Sequence, residues 1–187
     1  MEIKAYKMDG LGNDFVIIDR REDDVNLSKE QLIKIGNRNN VGFDQIIFIE
    51  KKINDAFPIK IFNPDGVEVG ACGNGSRCIA YLISKENNQK KIKLKADNRI
   101  LETEILDKKM VKINMGLTKF EESKDIPLQE GLNPRKVSID FLEEEYGLGY
   151  CVNVGNPHIV FFVKDCEKVD IEKIGPKIEN HHYFPER

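Results

Sequence analysis

Apolar and polar positions along the chain change their period several times, and each change marks an element. Ile3 to Met8 alternates loosely between apolar and polar side chains, the pattern of a strand. A turn follows at Gly10-Leu11-Gly12-Asn13-Asp14, and Phe15-Val16-Ile17-Ile18-Asp19 is a second strand, apolar enough to be buried. Charged residues 20–27 form a loop. Ser28 then caps a helix over Lys29–Asn37 that turns Leu32, Ile33 and Ile35 inward. Gln45–Glu50 and Pro58–Asn63 read as strands. Pro64-Asp65-Gly66 is a turn, because proline presets φ and glycine tolerates positive φ, and Val67 and Val69 continue the sheet.

The stretch Gly70-Ala71-Cys72-Gly73-Asn74-Gly75-Ser76-Arg77-Cys78 is a glycine-rich entry to a helix. It leads into Ile79-Ala80-Tyr81-Leu82-Ile83, dense enough in apolar residues for a helix buried on most sides. Strands are expected at 91–95, 99–106 and 109–115, the last ending at Asn114-Met115-Gly116. Residues 117–136 carry Pro127, Pro134 and many polar side chains, which predicts a connection between a unit at 1–116 and a second at 117–187. Further strands are predicted at 136–141, 149–154 and 159–163, with Gly155-Asn156-Pro157-His158 before the last, and a short helix at 171–178. Many strands with two or three helices make an α+β class.

Composition narrows the function. The 187 residues suffice for one or two small domains with a real core. Lysine and arginine number 29 against 32 acidic residues, a formal charge of −3, so a dedicated nucleic-acid binder is not expected. No apolar run approaches the roughly 18 residues of a membrane span, and Met1-Glu2-Ile3-Lys4-Ala5-Tyr6 has no signal-peptide layout. The expected compartment is the cytoplasm, where Cys72, Cys78, Cys151 and Cys166 would be free thiols. The Cys72-x5-Cys78 spacing is not that of a zinc site, His158, His181 and His182 add no close ligand pair, and no metal is expected.

Cys72 stands just before the buried helix. The unpaired N–H groups and partial positive charge of a helix start favour a thiolate there. Gly73 and Gly75 let a ligand approach the backbone, whose N–H groups can hold a carboxylate. One short stretch thus offers a reactive sulfur and a carboxylate cradle, as needed to remove a proton next to a carboxylate. The plain alternative is a glycine-rich turn with a buried, inert cysteine. Three more segments place an asparagine at a strand end: Gly12-Asn13-Asp14, Asn63-Pro64-Asp65-Gly66 and Gly155-Asn156-Pro157-His158. An amide both donates and accepts, which suits an amino-acid head group; asparagine is also simply common in turns.

Together these segments resemble the diaminopimelate epimerase family. The resemblance rests on Lys7-Met8-Asp9-Gly10-Leu11-Gly12-Asn13-Asp14-Phe15, Val41-Gly42-Phe43-Asp44-Gln45, Phe62-Asn63-Pro64-Asp65-Gly66-Val67-Glu68 and Ala71-Cys72-Gly73-Asn74-Gly75-Ser76-Arg77-Cys78. It continues through Val111-Lys112-Ile113-Asn114-Met115-Gly116, Gly155-Asn156-Pro157-His158 and Phe184-Pro185-Glu186-Arg187, in order over almost the whole chain. It implies two similar lobes, each a curved, mostly antiparallel sheet around a central helix, with the second incomplete here. It also implies a cofactor-independent interconversion of LL- and meso-diaminopimelate, in lysine and peptidoglycan precursor synthesis. Two cysteines on opposite faces of the substrate α-carbon take and return the proton.

By this resemblance Cys72 is the first catalytic cysteine, and Gly73 and Asn74 bind substrate at the helix entry. Asn13, Gln45, Asn63 and Asn156 are substrate contacts, and His158 tunes a catalytic thiol. The partner is a small-molecule substrate, not a nucleic acid or membrane, and the full-length protein would be a homodimer. Cys78, Cys151 and Cys166 are read as packing or structural, and Arg77 as pairing with a backbone or carboxylate group. Family members continue into a second Cys-Gly stretch that is missing here, and Cys166 is followed by Glu167-Lys168. The chain is therefore expected to be inactive alone: a fragment, a truncated product or half of a split enzyme. Proline racemase-type and phenazine-biosynthesis-type isomerases are the alternative enzymes, although Gly10-Leu11-Gly12-Asn13-Asp14-Phe15 argues against them. A non-catalytic diaminopimelate-binding remnant is the other alternative.

Overall fold

The computed structural model describes residues 3–23, 25–107, 109–120, 126–142 and 144–186. Met1 and Glu2, Asp24 of the 20–27 loop, residues 121–125 of the 117–136 connection and Arg187 of the closing motif lie outside the described residues. The chain divides into two compact units, residues 1–116 and 117–187.

In the first unit, β1 (Ala5–Gly10) and β2 (Asn13–Asp19) form a hairpin in which Gly10 pairs with Asn13. Its two-residue loop has φ of 56° at Leu11 and 89° at Gly12. Two positive φ values match the right-handed twist of the flanking strands. Glycine adopts them freely, whereas leucine is strained there.

β2 runs parallel to β3 (Gln45–Ile49), and parallel neighbours need a crossover. That crossover carries α1 (Lys29–Gly36), closed at its start by a reciprocal Ser28–Gln31 capping box. Leu32 is buried and Ile35 packs beside it, over Val16, Ile18, Ile46 and Phe48. Ile33 does not turn inward: it is 46% exposed. Leu32 and Gly36 lie four apart on the packed face, and Ile33 is rotated about 100° away from Leu32.

β3 pairs antiparallel with β4 (Ala56–Phe62), on which the short β5 (Glu68–Val69) also pairs. A second crossover, from β4 to the parallel β6 (Lys91–Ala96), contains α2 (Gly73–Asn87). The helix starts at Gly73, ahead of the apolar run, so the glycine-rich stretch is itself the first turn. β7 (Arg99–Asp107) and β8 (Met110–Asn114) complete an antiparallel meander. The eight-stranded sheet has the order β1-β2-β3-β4-β6-β7-β8, with β5 beside β4.

α2 touches the end strands β1 and β8 as well as β2, β3, β6 and β7, so the sheet curls around it. Phe15, Ile17, Ile47, Ile49, Ile61, Leu94 and Leu101 meet Ile79, Ala80 and Ile83 of the helix in one core. Burying each large aliphatic side chain contributes about 1.5–3 kcal/mol, and that burial holds the helix against the sheet.

In the second unit, β9 (Gly149–Asn153) and β10 (Pro157–Phe161) form a hairpin, and Asp170 caps α3 (Ile171–Glu179). Ile126, Val137, Ile139 and Cys151 form its core. The strand expected at 136–141 is a single bridge from Val137 to Gly149. Turns on both sides take the neighbouring donors: Lys136 N–H bonds Asn133 O and Leu142 N–H bonds Ile139 O. The last strand starts at Pro157 rather than Ile159, which puts His158 within it. Among the described residues no helix is long and apolar enough to cross a membrane.

Candidate active site

Strand pairing brings distant polar residues to one end of the sheet. β2 begins at Asn13 and β3 at Gln45, and Phe15 lies opposite Gln45 in the parallel pair. β4 returns antiparallel, with Phe62 opposite Ile46, so Asn63 comes beside Gln45. Gln45 Nε2 donates to Asn63 Oδ1 at 3.1 Å. α2 starts over the same end. A Cβ on Gly75 would stand 2.4 Å from Ile47 Cδ1 and 3.4 Å from Phe15 Cε1, so this turn rests directly on the strands and a side chain there would require Ile47 to shift. A Cβ on Gly10 would meet Asn74 O and Cys78 Sγ at 3.2 Å, which sets β1 equally close.

Cys72 is the N-cap of α2. Its Sγ accepts from Gly75 N–H at 3.3 Å, and its carbonyl accepts from Ser76 N–H at 2.9 Å. The helix start was expected to favour the thiolate. In the structure burial pushes the Cys72 thiol up from its ordinary value and outweighs the Gly75 and Asn74 N–H groups, which pull it down. The Arg77 charge also lowers it and the Asp44 charge raises it. Donors at a helix end stabilise a thiolate only as far as burial leaves them the advantage.

Asn74 Nδ2 donates to Asn13 Oδ1 at 2.6 Å, and Asn13 Nδ2 donates to Asp44 Oδ2 at 3.2 Å. Arg77 donates to Asn74 Oδ1; its partner is therefore a side-chain amide, not the backbone or carboxylate group expected. Cys72, Gly73, Asn74, Asn13, Gln45 and Asn63 thus share one end of the first unit.

Sequence reasoning missed the charged frame behind them. Arg38 bridges the Asp14 and Asp44 carboxylates at 2.7 and 2.6 Å, and Lys7 Nζ reaches Asp14 Oδ2 at 2.7 Å. The Arg38 hydrogen bond, aided by Lys7, holds the Asp14 carboxyl well below the usual carboxylate range against the opposing effect of desolvation. Asp14 and Asp44 also accept each other's backbone N–H at 3.0 Å. Lys7, Asp14 and Asp44 fall inside the motifs quoted above, whereas Arg38 lies outside all of them and gave no signal.

Asn156 and His158 belong to the second unit. His158 Nδ1 lies 3.0 Å from Asn156 O, and the ring lines a hollow of about 380 Å³ with Cys151, Ile159 and Phe161. Cys78 and Cys151 are buried, with thiols pushed up to about 11 by burial, while Cys166 is exposed. A hollow of about 290 Å³ on the outside of β6–β8 is lined by Lys91, Lys93, Glu102, Glu104 and Lys112 and contains no candidate site residue.

The family model for diaminopimelate epimerase matches residues 5–121. The chain belongs to the diaminopimelate epimerase family. It is 47% identical over 190 residues to a diaminopimelate epimerase of Pelagibacter ubique, covering 100% of this chain and 69% of that protein. It is 39% identical over 187 residues to a diaminopimelate epimerase of Acidiphilium cryptum, covering 97% of this chain and 65% of the relative. The chain therefore spans about two thirds of the length of these family members. Among solved structures, a phenazine biosynthesis protein of the PhzF family from Bacillus anthracis superposes with a TM-score of 0.60 at 18% identity, over 89% of this chain and 58% of that one. That likeness establishes the α+β fold alone.

Proposed function

We propose that these residues are the first lobe and the beginning of the second lobe of an enzyme that epimerises LL-diaminopimelate to the meso isomer without a cofactor. In this reading Cys72, as thiolate, exchanges the α-proton on one face of the substrate, and a second cysteine acts on the other face. Gly73 and Asn74 hold the carboxylate at the start of α2. Asn13, Gln45, Asn63 and Asn156 contact the rest of the amino acid, and His158 tunes a catalytic thiol. The α-proton of an amino acid is weakly acidic, so the carbanion relies on N–H donors fixed in advance around the carboxylate. The observation that carries the reading is the Cys72 sulfur held at the N-cap of a central helix, within a first turn that also supplies Asn74 to the row of site amides. The reading includes a cytoplasmic location, where a catalytic thiol stays reduced, and a homodimer of the full-length protein.

The 187 residues hold one Cys-Gly-Asn-Gly stretch, and the reaction uses two opposed sulfurs. Alone they should bind diaminopimelate but not turn it over. Calorimetry with diaminopimelate and with proline tests the first part; binding of proline alone would point to the racemase-type alternative and sink this reading. Incubation with LL-diaminopimelate in deuterium oxide tests the second. Meso product carrying deuterium at the α-carbon would refute the claim of inactivity, and Cys72→Ala should then abolish it.

A further inference from the structure

Arg77, Asn74, Asn13 and Asp44 form one hydrogen-bonded row that crosses from α2 to the start of β2 and then to the residue before β3. Its ends differ in kind. A guanidinium can only donate and a carboxylate can only accept. The row therefore has one permitted polarity. Arg77 donates to Asn74 Oδ1, which leaves Asn74 Nδ2 to donate to Asn13 Oδ1, which leaves Asn13 Nδ2 to donate to Asp44 Oδ2. Turning either amide over would set N–H against N–H or oxygen against oxygen. Asp44 is itself fixed by Arg38 at 2.6 Å and by Asp14 N–H at 3.0 Å. Each amide uses one N–H and one lone pair within the row and keeps one of each for a ligand.

We propose that Arg77 and Asp44 are positioning residues that set the amide polarity of Asn74 and Asn13, so that the pair offers donors and acceptors to the carboxylate and ammonium of an α-amino acid in one orientation. This rests on the amino-acid site proposed above. Neither end residue need touch the substrate; each acts through the amide beside it.

The test uses the full 187-residue chain, labelled with nitrogen-15, and follows the assigned side-chain NH₂ signals of Asn74 and Asn13. Arg77→Met should shift the Asn74 signals and, through them, those of Asn13; Arg77→Lys, which still donates, should restore most of the pattern. Asp44→Asn should disturb the row from the other end, because a carboxamide can donate as well as accept and so releases the constraint on Asn13, leaving Arg77 alone to hold the polarity. If Arg77→Met fails to fold, Asp44→Asn carries the same test. Unmoved Asn13 signals in Arg77→Met, or no rescue by lysine, would overturn the proposal. Titration with meso-diaminopimelate supplies the functional reading. Binding should weaken about tenfold in Arg77→Met, the loss expected for one charge-assisted hydrogen bond, and recover in Arg77→Lys. Wild-type affinity in a variant with displaced amide signals would also overturn it. A wild-type chain that shows the coupled amide signals but binds no diaminopimelate would instead overturn the amino-acid site, leaving the polarised row standing without that ligand.

Discussion

Asn74 Nδ2 lies 2.6 Å from Asn13 Oδ1, although the two residues are 61 positions apart in the chain. The contact ties the first turn of the central helix to the first residue of β2. A hydrogen bond between neutral groups stabilises a fold by only about 1 kcal/mol net. Its larger consequence is geometric, because it fixes how the helix start faces the strand ends that carry Gln45 and Asn63.

That tie can be measured directly. Asn13→Ala and Asn74→Ala should each lower the unfolding free energy by about 1 kcal/mol, and the double variant should lose less than the sum. Urea unfolding of the three variants closes the cycle. Strict additivity would mean that the two side chains do not cooperate in solution.

The Cys72 thiol, raised mainly by burial, should be slow to alkylate at neutral pH. Peptide-resolved mass spectrometry with iodoacetamide should show its rate climbing through the alkaline range, with a midpoint above that of a free thiol near 8.5. The negative charge of Asp44 opposes the thiolate, so Asp44→Asn should lower the midpoint and speed alkylation at fixed pH. The positive charge of Arg77 favours it, so Arg77→Met should do the reverse. Equal shifts in one direction would exclude this electrostatic assignment.

Asp14 gives a pH-dependent stability of known sign. Its pKa is depressed in the folded protein, chiefly by the Arg38 hydrogen bond. Its contribution is therefore fully present above the unfolded carboxyl value of about 3.9 and is lost as the pH falls through the lower folded value. Asp14→Asn should be less stable than wild type near pH 7, with the gap narrowing below about pH 4. Thermal melts across that range would show a constant gap if the ion cluster contributed nothing.

Leu11 occupies a backbone conformation with φ of 56° and its side chain is 85% exposed. It holds few contacts that could compensate for the strain, and asparagine followed by glycine is the favoured pair for such a loop. Leu11→Asn should raise stability by about 1 kcal/mol, visible as an upward shift in melting temperature. An unchanged or lower midpoint would mean that the leucine makes a contribution beyond the turn.

Much of the local structure could be read from the order of residues. The buried strand Phe15–Ile18 follows from its unbroken apolar run, and the Ser28 cap from a hydroxyl three residues before Gln31. Local rules failed where long-range packing decided. Ile33 points outward because α1 presents another face to β2 and β3. Residues 136–141 make one bridge because adjoining turns take their donors. The entry to α2 with Cys72 as its cap was legible, whereas the close seating of its first turn on Ile47 and Phe15 was not.

By itself the sequence determined the α+β class, the family and the identity of the cysteine at the helix start. Those depend on residue type and spacing, which are local. Only the tertiary structure decided that Arg38 binds Asp14 and Asp44, that the row from Arg77 to Asp44 has one polarity, and that burial outweighs the helix start at Cys72. Each of these depends on groups far apart in the chain and on the water they lose when strand pairing brings them together. Hydrogen-bond direction and desolvation are properties of that assembled surrounding, and no residue carries them alone.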